Sequence, residues 1–525
     1  VSEVRHESGK QTLETSAFSA LPFPFARQVH GTTEPVPGPG SRLLLVAYHF
    51  PPDGSAGALR WEKMLEVLLE EGFRADVLTL DPDQLTSPDF GRLAGLPDSV
   101  RVFAIRDAAL AVEGPWRVRA RVIRAISRLL RRAQLPRARS GGLPSPTPRG
   151  LGGSVSRWEA KRNAGPALDR WRAALGARLQ YRRFTGWAVR AKKVGRWLAR
   201  QIPYDAVITS GPPHFVHPEI ASLARRTGAA FVMDMRDPWS LVQRLPASIG
   251  SATWWRIAER SESASVRRAA LVVCNTERAA SGLRDRYPDV ADRIVTVMNG
   301  VDEERPPSVP KEDRFVLEHS GTVYLDRNPE AIFRAIGRLA QRRNIGPDDL
   351  VIRFHGAFDG AAGQQVLEIA RREGVASYVE LGGVVPRAEA LRYLAASAVG
   401  IILPQDSHLA VPSKVFEYVN LPIWVVALAQ NESAMADVLA RTGALVVDPL
   451  DVPRLEEVLD GLWDRWSDGE RPALDSHDPS LDRRSQARTL SSHLQRILRD
   501  RPPSKRHRLP IRRSEASSAR NEDAS

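Results

Sequence analysis

Lys414 and Glu417, three residues apart in Ser413-Lys414-Val415-Phe416-Glu417-Tyr418, place a cation and a carboxylate on one face of a helix expected to open there. A lysine in a first helical turn opposes the helix dipole, so its presence points to an anion bound at that end. A diphosphate would satisfy Lys414 together with the free amides of Ser413 and its neighbours. Glu417, one turn on, is placed to accept hydrogen bonds from a ribose diol. The same spacing also fits an exposed Lys–Glu pair worth roughly a few tenths of a kcal/mol. Another candidate is the loop Tyr48-His49-Phe50-Pro51-Pro52-Asp53-Gly54-Ser55-Ala56-Gly57, where Gly54, Ser55 and Gly57 let a ligand approach the backbone at the start of a helix carrying Arg60. Its pattern is neither G-x-G-x-x-G nor a P-loop, which weakens the case for hydride transfer and ATP hydrolysis. Asp234, Arg236 and Asp237 end an apolar run. Either aspartate is placed to orient a ligand hydroxyl, and Arg236 to pair with an acidic ligand group or a neighbouring aspartate; a structural ion pair fits nearly as well. The D-x-x-D spacing has no third ligand nearby, so no metal site is read there. His214 and His217 flank a Gly-Pro-Pro loop, His214 being the one expected in a cleft, although a lone histidine is more often structural.

These residues need a scaffold that brings loop ends together. Short apolar runs alternate with amphipathic stretches from Arg42 onward, the pattern of an α/β fold with parallel sheets and crossover helices. The first set of strands is expected at Leu43 to Ala47, Asp76 to Leu80, Val100 to Ala104, Ala206 to Thr209, Phe231 to Met235, Leu271 to Cys274 and Ile294 to Met298. The second is expected at Phe315 to His319, Val351 to His355, Tyr378 to Leu381, Val399 to Leu403, Ile423 to Ala427 and Leu445 to Val447. Pro306, Pro307 and Pro310 stiffen the connection between the sets. The organisation expected is a disordered tail over 1–40, a first domain over 41–307 with a basic insertion at about 115–175, and a second domain over 308–480. A helix over 481–500 is free to return to the first domain, and a disordered basic tail fills 501–525.

The formal charge of +13 is a local feature. Pro115 to Arg200 holds 23 basic residues against Glu159 and Asp169, and the tail from Arg501 holds seven against three, which leaves the rest of the chain acidic. Within the basic segment Val118, Val122, Ile126 and Leu130 recur every four residues among arginines, so 116–132 reads as an amphipathic helix able to meet an anionic membrane surface. Packing of that helix on the first domain is the alternative. A nucleic-acid partner is not expected, since no zinc spacing or RNP-like aromatic motif accompanies the charge. The single cysteine, Cys274, excludes an intrachain disulfide. Apolar runs are short and no secretory h-region follows Val1, so a cytoplasmic protein, soluble or peripheral on the inner membrane face, is expected.

Five segments in order, Leu44 to Arg60, Ser210 to His214, Asp234 to Trp239, Asn299 to Asp302 and Pro412 to Tyr418, resemble the bacterial family-4 glycosyltransferases of GT-B fold. The resemblance spans roughly residues 42–498 and implies two facing Rossmann-like domains, a nucleotide diphosphate-sugar as substrate, and retaining transfer with no metal or other cofactor. The donor contacts expected are Gly54, Ser55, Gly57, Gly321, Thr322, Pro412, Ser413, Lys414, Val415 and Glu417, with Arg327 a second cation on the diphosphate. Arg60, Asp234 and Asn299 fall on the acceptor side, and the acceptor is a sugar, a lipid-linked or a small molecule, as in cell-envelope polysaccharide or glycolipid synthesis. A nucleotide-sugar epimerase or a non-catalytic nucleotide-sugar-binding protein of the same fold is the alternative. One position departs from the pattern: eight residues before Glu417, where many members carry a glutamate that touches the transferred sugar, stands Leu409. Asp406, Ser407 and His408 are the nearby substitutes.

Overall fold

A computed structural model describes residues 21–86, 88–111, 167–236, 238–241, 251–303, 306–321, 323, 327–356, 360–403 and 408–500. Asp237, Thr322, Asp406, Ser407, the segment 116–132 and the tails 1–20 and 501–525 lie outside the described residues, as do the expectations attached to them.

The first sheet comprises β1 (Ala26–His30), β2 (Arg42–Ala47), β3 (Arg74–Leu80), β4 (Arg101–Ile105), β5 (Ala206–Ser210), β6 (Ala230–Arg236), β7 (Leu271–Cys274) and β8 (Ile294–Thr296) in the order β1-β4-β3-β2-β5-β6-β7-β8. All neighbours are parallel except β1, which runs antiparallel to β4. The second sheet comprises β9 (Phe315–Ser320), β10 (Leu350–His355), β11 (Val379–Gly383), β12 (Val399–Ile402), β13 (Trp424–Leu428) and β14 (Leu445–Val447) in the order β11-β10-β9-β12-β13-β14, all parallel. The two doubly wound sheets confirm the α/β expectation. β1 corrects the reading of 1–40 as a disordered tail: residues 21–40 are placed, and the Gln28 side chain donates to the carbonyls of His30, Gly31 and Thr32.

The helices cover both faces. α1 (Ala56–Glu70) is capped by Ser55, which accepts from the Ala58 amide, and buries Trp61, Met64, Leu65 and Leu68. α2 (Ala167–Gln201) sinks Trp187, Ala191, Val194 and Leu198 into the core on the other face. α3 (His217–Thr227), α4 (Ala252–Val266) and α5 (Glu277–Arg286) complete that domain. In the second domain α6 (Glu330–Arg343) packs with α9 (Val452–Ser467), while α7 (Arg387–Ala396) and the short α8 (Ser413–Tyr418) belong to the opposite layer. α10 (Arg483–Arg499) returns to the first domain, where Ala487, Leu490 and Leu494 join the cluster that contains Leu65 and Leu68. Among the described residues no helix is long and apolar enough to cross a membrane.

Strand order reverses between β2 and β5 in one sheet and between β9 and β12 in the other. Chain leaving the carboxyl ends of such a pair diverges in opposite directions and opens a crevice suited to a ligand. The loops after β2, β5, β9 and β12 carry the residues around which the candidate site is built.

Candidate active site at the two switch points

In the second domain Gly321 follows β9 and Lys414 lies on the helix reached from β12. The Lys414 ammonium donates to the Ser320 carbonyl (3.0 Å) and lies 3.5 Å from His319 Nε2. His319 Nδ1 is 2.9 Å from the Ile401 carbonyl, so the proton belongs on Nδ1 and the Nε2 lone pair faces the lysine. Burial, with the positive charges of Lys414 and Arg327, holds His319 well below the usual histidine range and therefore neutral. Tyr418 ties the turn further: its hydroxyl accepts from the Ser320 amide (2.7 Å). Gly321 has φ +139°, and a Cβ there would collide with the Lys414 ammonium. The backbone conformation thus favours glycine, and any side chain there would have to displace the lysine ammonium.

Burial, then repulsion from Arg327, pushes Lys414 down to about 7, with Glu417 acting weakly in the opposite direction. Two cations approach here in a poorly solvated place, a cost that a bound anion would relieve. Glu417 is held by Arg387 of α7 (2.8 Å) and not by Lys414, which differs from a simple exposed Lys–Glu pair. α8 has six residues, too few for much dipole, so attraction for an anion falls mainly on the side chains of Lys414 and Arg327. Pro412 stands at its N-cap without a side-chain cap, and Ser413 opens the helix. Val415 is placed differently from a donor contact: its side chain is buried and its amide donates to the Pro412 carbonyl.

In the first domain Arg60 and Asp234 are both about 1% exposed. Arg60 donates to Asp234 through Nε and Nη2, to the Val297 and Met298 carbonyls, and to Asn299 Oδ1. Asp234 also accepts from Trp61 Nε1 (2.7 Å) and Ser210 Oγ (2.8 Å). Arg60, Asp234 and Asn299 therefore form a closed, buried brace beneath the crevice, and an acceptor does not reach them. Arg236, with φ 59°, turns its guanidinium over the start of α1; a Cβ on Gly57 would sit 2.7 Å from its Nη1. Ser55 is occupied as the α1 cap and by Asp53, whereas Gly54 faces open space. His214 and His217 pack against Gly211, their ring nitrogens 3.3 Å apart, and Trp239 lies over His214 at 4.7 Å between centroids. Burial lowers both, His217 to about 3, so the pair is uncharged. Near Gly57 the His49 imidazole bonds Asp53 (2.5 Å), a pairing the sequence reading missed although the two stand at i and i+4 in the singled-out loop.

The domains meet beside these sites. Leu409 is buried against the first-domain core and its carbonyl accepts from Thr276 Oγ1 (2.6 Å). Arg278 pairs with Asp437 across the same boundary. At the crossing, Gly300 has φ +81° and lies against the Arg483 backbone, while Asp302 is bound by Arg483.

Two doubly wound domains with cationic and polar loops at their switch points define a GT-B-fold protein. A crystallised UDP-forming alpha,alpha-trehalose-phosphate synthase from Burkholderia xenovorans shares the fold, with TM-score 0.52 and 13% identity over 87% of this chain and 99% of that one. Residues 145–300 match the glycosyl transferase 4-like domain. The chain is 27% identical over 259 residues to D-inositol 3-phosphate glycosyltransferase 1 of Catenulispora acidiphila, covering 46% of this chain and 60% of that protein. It is 29% identical over 156 residues to the D-inositol 3-phosphate glycosyltransferase of Thermobifida fusca, covering 27% and 36% respectively. The chain thus spans less than two thirds of the length of these relatives. The domain match and these relatives make the chain similar to the family-4 glycosyltransferases of GT-B fold.

Proposed function

We propose that the chain transfers a sugar from a nucleoside diphosphate-sugar to an acceptor, with retention and without a metal, in the synthesis of a cell-envelope polysaccharide or glycolipid. The observation that carries this reading is the buried Lys414 ammonium seated over Gly321 at the second switch point, within reach of the charge of Arg327. The names of the relatives and the UDP-forming synthase support it and make uridine nucleotides the first donors to test.

In this reading the diphosphate lies between Lys414 and Arg327, close to Gly321 and Ser413, and Glu417 accepts from the ribose. The acceptor oxygen bonds to the anomeric carbon as the bond to the diphosphate breaks, and the acceptor proton passes to the leaving phosphate oxygen on the same face. The two cations stabilise the charge growing on the departing group. Arg236, beside the start of α1, is positioned for an acidic group on the acceptor, and His214 for a hydroxyl.

The test incubates the full chain with radiolabelled uridine diphosphate-sugars and lipid-linked or soluble acceptors, with and without chelator. Product that survives chelator, and loss of at least 100-fold in turnover on Lys414→Ala, is expected of a contact that stabilises the transition state, an order of magnitude typical of such groups. Full activity in the variant overturns the site assignment; chelator-sensitive activity overturns the metal-free mechanism. Release of an epimerised nucleotide sugar without acceptor overturns the transferase reading.

A further inference from the structure

The N-terminal half of α2 is amphipathic on two opposite sides. One side closes the first domain: Ala177 is buried among Phe215, Trp239 and Trp254, Tyr181 meets Phe215 edge-on at 5.4 Å, and Gln180 accepts from Trp254 Nε1 at 2.9 Å. The other side carries Trp171, Leu175 and Leu179, which are 61%, 39% and 37% exposed. Their spacing of four residues aligns them in a stripe about 12 Å long, roughly half a turn away from Ala177 and Tyr181. Arg178 and Arg182, both exposed, fall on the same side. The whole helix has ten basic residues and one acid, Asp169.

Water is a poor partner for an exposed Trp-Leu-Leu stripe, so its occupant must accept apolar side chains and strong positive charge together. A second copy of this chain would set one basic helix against another and repel. A nucleic-acid backbone matches the charge but offers nothing to two leucines. The boundary between headgroups and acyl chains of an anionic bilayer meets both demands, with tryptophan at the interface and arginine on the lipid phosphates. We infer that the outer face of the N-terminal half of α2 docks on an anionic lipid surface through Trp171, Leu175, Leu179, Arg178 and Arg182. This face lies on a different part of the chain from 116–132.

The inner side of the same segment touches Phe215, which packs at a tilt against Trp239, which in turn packs at a tilt against His214. Docking therefore holds the first-domain side of the crevice near the bilayer, which suits an acceptor carried by a lipid. That consequence rests on the transferase reading; the docking does not.

The test is co-sedimentation of the full chain with phosphatidylcholine vesicles, with and without about one third phosphatidylglycerol, alongside calorimetric UDP binding and light scattering. The native chain is expected to bind the anionic vesicles at least about tenfold more tightly than the neutral ones. The combined variant Trp171→Gln, Leu175→Gln, Leu179→Gln is expected to lose that binding about tenfold or more while its melting temperature and UDP affinity stay unchanged, and Arg178→Glu with Arg182→Glu to do the same. Equal binding to both vesicle types, or undiminished binding by the variants, overturns the docking. So does a native dimer that the Gln variant converts to monomer, or a fall in melting temperature with vesicle binding intact, which would mean that the chain itself covers the stripe. Absence of binding by the native chain to uridine, adenosine, guanosine and thymidine diphosphates alike would instead sink the transferase reading and leave the docking standing.

Discussion

Lys414 is a base held near its midpoint at neutral pH because it is buried beside another cation. Its ordinary value, about 10.4 in an unfolded chain, is lowered in the folded protein. The unfolded state therefore binds more protons between about pH 7 and 10, and this group makes stability rise with pH through that window. Anion binding has the opposite dependence, since a diphosphate favours the ammonium. UDP affinity is expected to weaken above pH 7, by up to about tenfold per pH unit, with uptake of close to one proton per nucleotide at pH 8. Calorimetry at pH 8 in buffers of different ionisation enthalpy measures that uptake directly, and Lys414→Met should abolish it; pH-independent affinity with no uptake would remove Lys414 from the diphosphate. Gly321 is the companion case. Alanine at φ +139° is strained, and its methyl would occupy the place of the lysine ammonium. Gly321→Ala should cost roughly 1 kcal/mol or more in stability and displace Lys414, so UDP binding should fall more than the melting temperature alone accounts for.

The elements show which parts of the molecule a linear reading reaches. Leu271–Cys274 and Leu445–Val447 were legible to the residue, and the other parallel strands to within one or two, because each is a short unbroken apolar run; Leu271–Cys274 is buried throughout, whereas Leu445–Val447 stands at the sheet edge with Leu445 exposed. β1 escaped notice because Ala-Arg-Gln-Val-His has no such run; an antiparallel edge strand needs one buried face, and Gln28 fills part of it with polar contacts to its own chain. At the site, the local pair Lys414 and Glu417 was legible as a spacing. That Glu417 is held by Arg387 and Lys414 by Ser320 was not, since those contacts join distant elements. The Arg60–Asp234 brace was hidden for the same reason: charged residues at strand and helix ends look like ligand contacts until their partners, 174 residues apart, are seen to saturate them. The return of α10 is itself open to test. Leu490 is buried in the cluster that includes Leu65 and Leu68 of α1, so Leu490→Ala should destabilise the first domain by about 2–5 kcal/mol. A second-domain melting transition left unchanged would show that α10 serves as a strap of the first domain, whereas an equal shift of both would make the chain one cooperative unit.

At the scale of the molecule, two contacts of different kind join the facing domains beside the crevice. Arg278 and Asp437 are exposed, and such pairs contribute about 0–1 kcal/mol. Leu409 is buried against the other domain's core, where an apolar side chain of that size contributes about 1.5–3 kcal/mol. The stronger contact stands eight residues before Glu417, where many of the resembling enzymes carry a glutamate; here that position holds an apolar side chain packed between the domains. Removing Leu409 should therefore act on domain geometry before it acts on either core. Leu409→Ala is expected to increase the radius of gyration of the nucleotide-free chain in small-angle scattering and to leave both domains folded by circular dichroism, while Arg278→Ala changes neither. A Leu409→Ala chain that melts early at unchanged radius would instead make Leu409 an ordinary core residue. The separation of those outcomes follows from where its side chain sits: its backbone belongs to the second domain, its packing to the first, so the lost contact falls on the boundary between them.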